Sequence, residues 1–294
     1  MRHSAGKFII IVLMAVSSCP TAVQAEHPID IQRKTAEGNY FDALVSFQSL
    51  PRRRLTTGAI LAAAKSAWGL GLVGKATEFF EKALADQSLD STTRARIYLS
   101  RGIIEFQEER YRVAMLYAEK AIALLEAGPL RARSWMLWGE SLYQLGSWGA
   151  ALTKYDRALE EADPTLKGEI HFKYGRCALR LGEQQTAREH FEQVPVDSER
   201  TPEAIRYLAL IALDLHEYKT GDFWLKKGRE EFPEQFLDSW VDYAMLQVAI
   251  EQDNIQAVRK IRSAAAKKYP PSDPWFTLLD AAAEIYEWEG AQSK

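Results

Sequence analysis

The sequence has few cysteines: only Cys19 and Cys177 occur among 294 residues. Two cysteines are too few for the several cross-links of a disulfide-stabilised scaffold. Cys177 lies within an apolar helical pattern, which predicts a small buried side chain rather than a reactive thiol. The sequence also lacks the long alternation of apolar and polar residues that marks a strand, while alanine and leucine are abundant. This bias predicts a helical protein.

Motifs that carry chemistry are also lacking. The five histidines include no pair at the spacing of a helical metal site, and neither H-E-x-x-H nor G-x-S-x-G is present. One match to G-x-G-x-x-G, Gly69–Gly74, follows a helical pattern instead of a strand, so a turn between helices is favoured over a dinucleotide site. We therefore predict no catalytic residue, no metal and no cofactor, and hence not an enzyme.

An excess of positive charge is absent as well. The chain has 37 lysines and arginines against 40 acids, a formal charge of −3. Removal of residues 1–25 would take away Arg2, Lys7 and no acid, giving 35 minus 40, or −5. Such a chain lacks the basic surface that neutralises phosphates. We predict no nucleic-acid partner.

The first 25 residues have the layout of a secretory signal peptide. Arg2 and Lys7 precede the nine-residue apolar run Phe8–Val16, and Val23–Ala25 ends in a small residue suited to cleavage. The run is too short to span a bilayer, and no second run approaches membrane length. We predict residues 1–25 to be a signal peptide and the protein to be exported and periplasmic; a buried N-terminal helix is the alternative.

A second export signal overlaps the first. The segment Val16–Cys19 resembles the bacterial lipoprotein signal, in which a small residue precedes a cysteine that is cut and lipidated, although Pro20 follows directly. Lipidation at Cys19 would make a membrane-anchored lipoprotein, whereas cleavage after Ala25 would release the chain. We expect membrane contact only through Cys19 or through partners.

Small residues recur along the chain in one frame. The spacings between them are 33, 38, 37, 36, 34 and 36 residues. The positions are Ala43, Ala76, Ala114, Ala151, Ala187, Gly221 and Ala257. A period of this length with two helical patterns per unit indicates a stack of helix hairpins, since each hairpin needs its neighbours to bury its apolar face.

The copy from Ala132 to Pro164 resembles the tetratricopeptide repeat (TPR) family, whose pattern is W-x2-L-G-x2-Y, then A-x3-F, then proline. Trp135, Gly139 and Tyr155 occupy three of its places; Ala151, Ala158 and Pro164 complete it. The resemblance implies an all-α fold: an α-solenoid of about seven TPR-like hairpins with a C-terminal capping helix. Arg101 departs from the pattern, because it falls where an apolar packing residue belongs.

Four segments follow from this register. Residues 1–25 are the signal peptide, 26–50 a degenerate first repeat, 51–270 TPR-like repeats in one superhelical domain, and 271–294 the capping helix and tail. The last segment holds an amphipathic helix from Pro274 to Glu289. Glycine turns are predicted at residues 38–39, 146–147 and 182–183, and helix starts at 163–164 and 201–202.

The resemblance further implies that the first helix of each repeat lines a concave groove that binds protein. The groove residues predicted in this way are Lys65, Trp68, Phe106, Arg133, Glu140, Tyr143, Gln144, Phe172, Arg176 and Arg180. The asparagines with which some family members clamp a C-terminal carboxylate are missing, so that ligand is not expected.

Two hypotheses for function remain. The first is a non-catalytic adaptor or scaffold in the bacterial cell envelope, which binds a helix or an extended peptide of a protein partner in the groove. The second is an accessory or regulatory subunit that delivers substrates to an envelope enzyme, or an enzyme with an unrecognised site. The sequence does not name the partner.

Overall fold

The computed structural model describes residues 27–292, which are helical with connecting turns and contain no strand. The predicted all-α fold is confirmed. None of the helices in this range is long and apolar enough to cross a bilayer. The predicted signal peptide, its cleavage site after Ala25 and the alternative lipid site at Cys19 lie outside the described residues and stay predictions.

The chain falls into two compact units that divide between Ser88 and Leu89. Within the first unit, each helix packs against the next one along the chain. Its helices are α1 (Pro28–Ala36), α2 (Tyr40–Ser49), α3 (Thr57–Gly69) and α4 (Val73–Leu84). The glycine-rich segment 69–74 is the turn between α3 and α4, not a nucleotide loop.

Within the second unit the helices again form hairpins, and each hairpin after the first packs against the one before it. Its helices are α5 (Ser91–Gln107), α6 (Tyr111–Ile122), α7 (Pro129–Gln144), α8 (Trp148–Glu161), α9 (Pro164–Arg180), α10 (Gln184–Glu192), α11 (Thr201–Asp214), α12 (Tyr218–Glu231), α13 (Ser239–Glu251), α14 (Ile255–Lys268) and α15 (Pro274–Gln292). The predicted segment boundaries at residues 50 and 270 stay predictions.

The two helices of a hairpin cross where a small residue lets a large one approach. In the α7–α8 hairpin a β-carbon added at Gly139 would stand 2.7 Å from Tyr155 Cε1. Ala151 and Tyr155 are fully buried at this crossing. In the last hairpin Val258, not the predicted Ala257, is the fully buried anchor. The predicted anchor positions are therefore buried in the earlier hairpins, and the anchor of the last hairpin lies one residue after the predicted position.

The turns within the hairpins use the left-handed backbone region. Gly146 has a φ of 75°, as predicted for a glycine turn. Glu109 and His216 adopt a φ of 58° at the equivalent place without being glycine, a conformation that costs energy in a residue with a β-carbon. Asp163 caps α9 by accepting from the Leu166 N–H at 2.8 Å. Helix α11 begins at Thr201 with Pro202 in its first turn, so both predicted helix starts are confirmed.

Arg101 is buried although its place calls for an apolar side chain. Its Nη2 lies 3.3 Å from Glu105 Oε1 and donates to the Tyr117 hydroxyl at 3.0 Å. Arg110 Nε reaches the other carboxylate oxygen of Glu105 at 2.5 Å. The ion pair compensates the charge that burial would otherwise penalise.

Removing one partner of this pair should be far worse than removing both. Glu105→Leu leaves the Arg101 guanidinium buried without its carboxylate, and we expect a loss of about 3 kcal/mol in the free energy of unfolding. The double variant Arg101→Met, Glu105→Leu should recover most of that loss. Urea unfolding followed by circular dichroism measures both. A single variant as stable as the wild type would contradict the role of the pair.

Candidate protein-binding face

Helices α5, α7 and α9 of the second unit enclose an open pocket of about 250 Å³. Its floor is apolar and its rim carries an arginine, a glutamate and a lysine. The lining residues are Leu99, Ile103, Phe106, Arg133, Met136, Leu137, Glu140 and Lys173. The structure thus brings three of the predicted groove residues, Phe106, Arg133 and Glu140, to one cavity.

Two of the three charged groups that line the pocket, Glu140 and Lys173, belong to one network of ion pairs. Lys173 Nζ lies 2.9 Å from Glu140 Oε2 and 3.3 Å from Glu169 Oε1. The Tyr155 hydroxyl donates to Glu140 at 3.2 Å. Arg200 Nε donates to Glu169 at 2.9 Å. Burial raises the pKa of Glu169, but the hydrogen bond from Arg200 and the charge of Lys173 outweigh it, so this pKa lies below its ordinary value.

Two arginines lie beside this network, one helical turn apart on α9. Arg176 Nη2 and Arg180 Nε each donate to the Tyr143 hydroxyl at 3.3 Å. The Arg176 guanidinium also lies 5.0 Å from the centre of the Tyr143 ring. Within the described residues, neither arginine forms an ion pair with a carboxylate. We call Tyr143, Arg176 and Arg180 the arginine pair site.

The remaining predicted residues are placed differently. Phe172 is fully buried, and the Arg200 guanidinium lies 5.2 Å from the centre of the Phe172 ring. Phe172 therefore packs beneath the face and does not line it. Gln144 is exposed at the end of α7. Lys65, exposed, and Trp68, half-buried, both lie on α3 in the first unit.

Sequence reasoning missed two contributors to this face, Lys173 and Arg200. Lys173 follows the groove position of Phe172 by one residue, so the repeat register assigned it no role. Arg200 lies in the connection between α10 and α11, which has no place in the repeat pattern. The only sequence signals at Arg200 are its charge and its position directly before a predicted helix start.

A histidine pair joins the two helices of the α9–α10 hairpin. His171 Nδ1 and His190 Nδ1 are 3.1 Å apart, and the Tyr174 ring stacks on His190 at 3.7 Å. Burial, and then the charges of His190 and Lys167, lower the pKa of His171 to about 4. No group of three or more potential metal ligands occurs in the described part of the chain.

Cys177 is buried near this hairpin, as predicted. Its Sγ lies 3.2 Å from the Trp148 carbonyl oxygen. Burial, followed by the charges of Glu140 and Glu183, raises the pKa of the thiol to about 12. The thiol is thus protonated at neutral pH, which fits a packing role.

A family model described as tetratricopeptide repeat matches residues 118–167, which comprise the end of α6, α7, α8 and the start of α9. This part of the chain therefore resembles a tetratricopeptide repeat (TPR), as the sequence pattern of the same copy implied. The matched region includes Glu140 and Tyr143 and ends at residue 167, before the arginine pair. No curated protein sequence matches the chain.

Solved structures share its fold. The pilF protein of Pseudomonas aeruginosa is 17% identical, with a TM-score of 0.57 over 71% of this chain and 92% of that one. RapI in its apo form is 14% identical, with a TM-score of 0.57 over 73% and 84%. The C-terminal part of a TPR protein from Cytophaga hutchinsonii is 16% identical, with a TM-score of 0.56 over 72% and 86%. At these identities the likeness concerns the fold alone.

The histidine pair should make the stability of the hairpin depend on pH. Because the folded pKa of His171 is about 4 and an unfolded histidine has a pKa of about 6.5, the unfolded chain binds more protons between these values. Stability is therefore complete above pH 6.5 and falls as the pH drops toward 4. In His171→Gln we expect the free energy of unfolding to fall by on the order of 1 kcal/mol less over this pH range than in the wild type. The expected difference is kept small because the site is half-exposed and solvent screens its charge.

Urea unfolding of wild type and variant at a series of pH values measures the difference. His216→Asn, which changes an exposed histidine in a turn, is the matched control and should keep the wild-type profile. If the free energy of unfolding depended on pH identically in the wild type and in His171→Gln, the histidine pair would not be a source of the pH dependence.

Proposed function

We propose that this protein is a non-catalytic scaffold of the bacterial cell envelope that binds a segment of a partner protein on the face formed by the pocket and the arginine pair site. The observation that carries the proposal is their adjacency: an apolar cavity lies next to two guanidinium groups that form no ion pair with a carboxylate of the described residues. Repeat proteins of this kind use the surface of their stacked helices for binding.

The pocket suits one large apolar side chain of the partner. Its volume of about 250 Å³ exceeds the volume of a leucine or phenylalanine side chain, and its floor consists of side chains such as Leu99, Ile103 and Met136. Burial of such an anchor contributes about 1.5–3 kcal/mol. The Lys173–Glu140 ion pair compensates the charge of both groups at the pocket, and Arg133 adds a guanidinium to the lining.

The arginine pair site suits a carboxylate. A guanidinium presents a planar fork of donors that matches a carboxylate, and here two forks meet at one tyrosine hydroxyl. Glu140 at the pocket and Tyr143 at the arginines are three residues apart on α7, about 4.5 Å along the helix axis. The partner segment would therefore carry an aspartate or glutamate within about one helical turn of a large apolar residue.

Selection from a displayed library of short random peptides tests this proposal on the purified chain. We expect enriched peptides to combine an acidic residue with a nearby leucine, phenylalanine or methionine. The double variant Arg176→Gln, Arg180→Gln should weaken them at least about tenfold, the usual effect of removing an interface anchor. The control Arg112→Gln, Arg157→Gln changes two exposed arginines of α6 and α8 and should have little effect. Equal binding by both double variants would contradict the site.

The envelope location rests on the layout of residues 1–25. If the signal peptide is cleaved as proposed, the intact mass of the mature protein purified from its host corresponds to a chain beginning at Glu26. A mass corresponding to a lipidated chain beginning at Cys19 would instead make it a membrane-anchored lipoprotein. A mass that includes residues 1–25 would contradict export.

A further inference from the structure

The last helix, α15, exposes a stripe of large apolar side chains. Trp275, Leu278, Ile285 and Trp288 are 40%, 49%, 59% and 62% exposed, and they recur at the spacing of one helix face. No other helix of the described residues exposes more than two large apolar side chains. A contiguous surface of this kind marks an interaction site. We call these four residues the α15 stripe.

The opposite side of α15 is well packed, so the stripe is not the result of a loosely held helix. Leu279 and Ala283 are fully buried in a core shared with α13 and α14. Arg262 of α14 holds Asp280 at 2.6 Å and Glu287 at 3.1 Å. The orientation of the helix is therefore fixed, and its apolar stripe faces outward because the other side is already occupied.

We propose that the α15 stripe binds a basic amphipathic helix of a partner protein. Trp275 and Trp288 are thirteen residues apart, about 20 Å along the helix axis, which suits an elongated ligand better than a single side chain. The backbone groups of α15 are hydrogen-bonded within the helix, so an extended strand would gain no main-chain partner there. A helix satisfies its own backbone and contributes only its apolar face.

The charges around the stripe specify the sign of the partner. The four charged residues of α15 are acids: Asp280, Glu284, Glu287 and Glu289. Arg262 pairs with Asp280 and Glu287, and Arg259 also pairs with Glu287 at 3.3 Å. The Glu284 side chain is 74% exposed and lies 4.0 Å from Arg262. Lysines or arginines flanking the apolar face of the incoming helix would complement the Glu284 carboxylate. A second copy of the chain would bring acids against acids, and an anionic membrane surface would be repelled.

The surface is separate from the pocket and the arginine pair site, and the inference does not rest on the function proposed for them. The probe is a fluorescent peptide of leucine and lysine, about 18 residues or five turns long, with leucines at helical spacing. Its comparison is the same peptide with glutamate in place of lysine. Fluorescence anisotropy measures the binding of each to the full chain, and circular dichroism measures the helix content of the bound peptide.

We expect the lysine peptide to bind as a helix and the glutamate peptide to bind at least about tenfold more weakly. Ile285→Asp should weaken the lysine peptide at least about tenfold, whereas Leu116→Asp, which changes a similarly exposed leucine on α6, should stay within about twofold. Glu284→Lys should weaken binding without loss of fold. The Arg176→Gln, Arg180→Gln variant should bind the lysine peptide normally.

Three results would overturn the inference. The first is equal binding of the lysine peptide to the wild type and to Ile285→Asp. The second is a concentration-dependent dimer, seen by light scattering and removed by Ile285→Asp, which would assign the stripe to a second copy. The third is cosedimentation with vesicles of phosphatidylcholine and phosphatidylglycerol that Ile285→Asp abolishes, which would assign it to a lipid surface.

Discussion

The close crossing of two helices at a small residue is the interaction on which the rest of this structure depends. A β-carbon at Gly139 would stand 2.7 Å from the Tyr155 ring, and one at Gly175 would stand 2.8 Å from Phe191. Interiors packed this tightly do not deform continuously. Because α7 is held against α8 in this way, the other side of α7 has a defined orientation. That side carries Glu140 and Tyr143, which meet α9 across the candidate binding face.

The repeat pattern in the sequence was sufficient to predict the hairpins, because each crossing needs a small residue at a recurring place. In the copy from Ala132 to Pro164 these places are held by Gly139, Ala151 and Tyr155, and other copies hold small and large residues at the same spacing. The turns were predicted only where glycine marks them, and those at Glu109 and His216 were missed since their conformation is imposed by the packing of the flanking helices. The division after Ser88 has no counterpart in the repeat spacing.

The charged residues of the face were harder to interpret, because their partners lie about one repeat away in sequence. Glu140 was predicted as a recognition residue, yet Lys173, 33 positions later, neutralises it. Other ion pairs also join residues about thirty positions apart: Arg131 pairs with Glu161 within the α7–α8 hairpin, and Arg200 pairs with Glu169 between neighbouring repeats. A charge pattern alone does not separate such pairs from groups left for a ligand. In the structure, Arg176 and Arg180 donate to the Tyr143 hydroxyl and form no ion pair with a carboxylate of the described residues.

Two glycines of one hairpin test most directly whether the close crossing is the governing constraint. A β-carbon at Gly139 would collide with the buried Tyr155 ring, whereas one at Gly149, in the first turn of α8, would meet nothing within 4 Å. The account predicts that Gly139→Ala lowers the free energy of unfolding by about 1–3 kcal/mol and that Gly149→Ala raises it by about 0.5–1 kcal/mol, because alanine favours helix. Equal effects of the two substitutions in urea unfolding would contradict it.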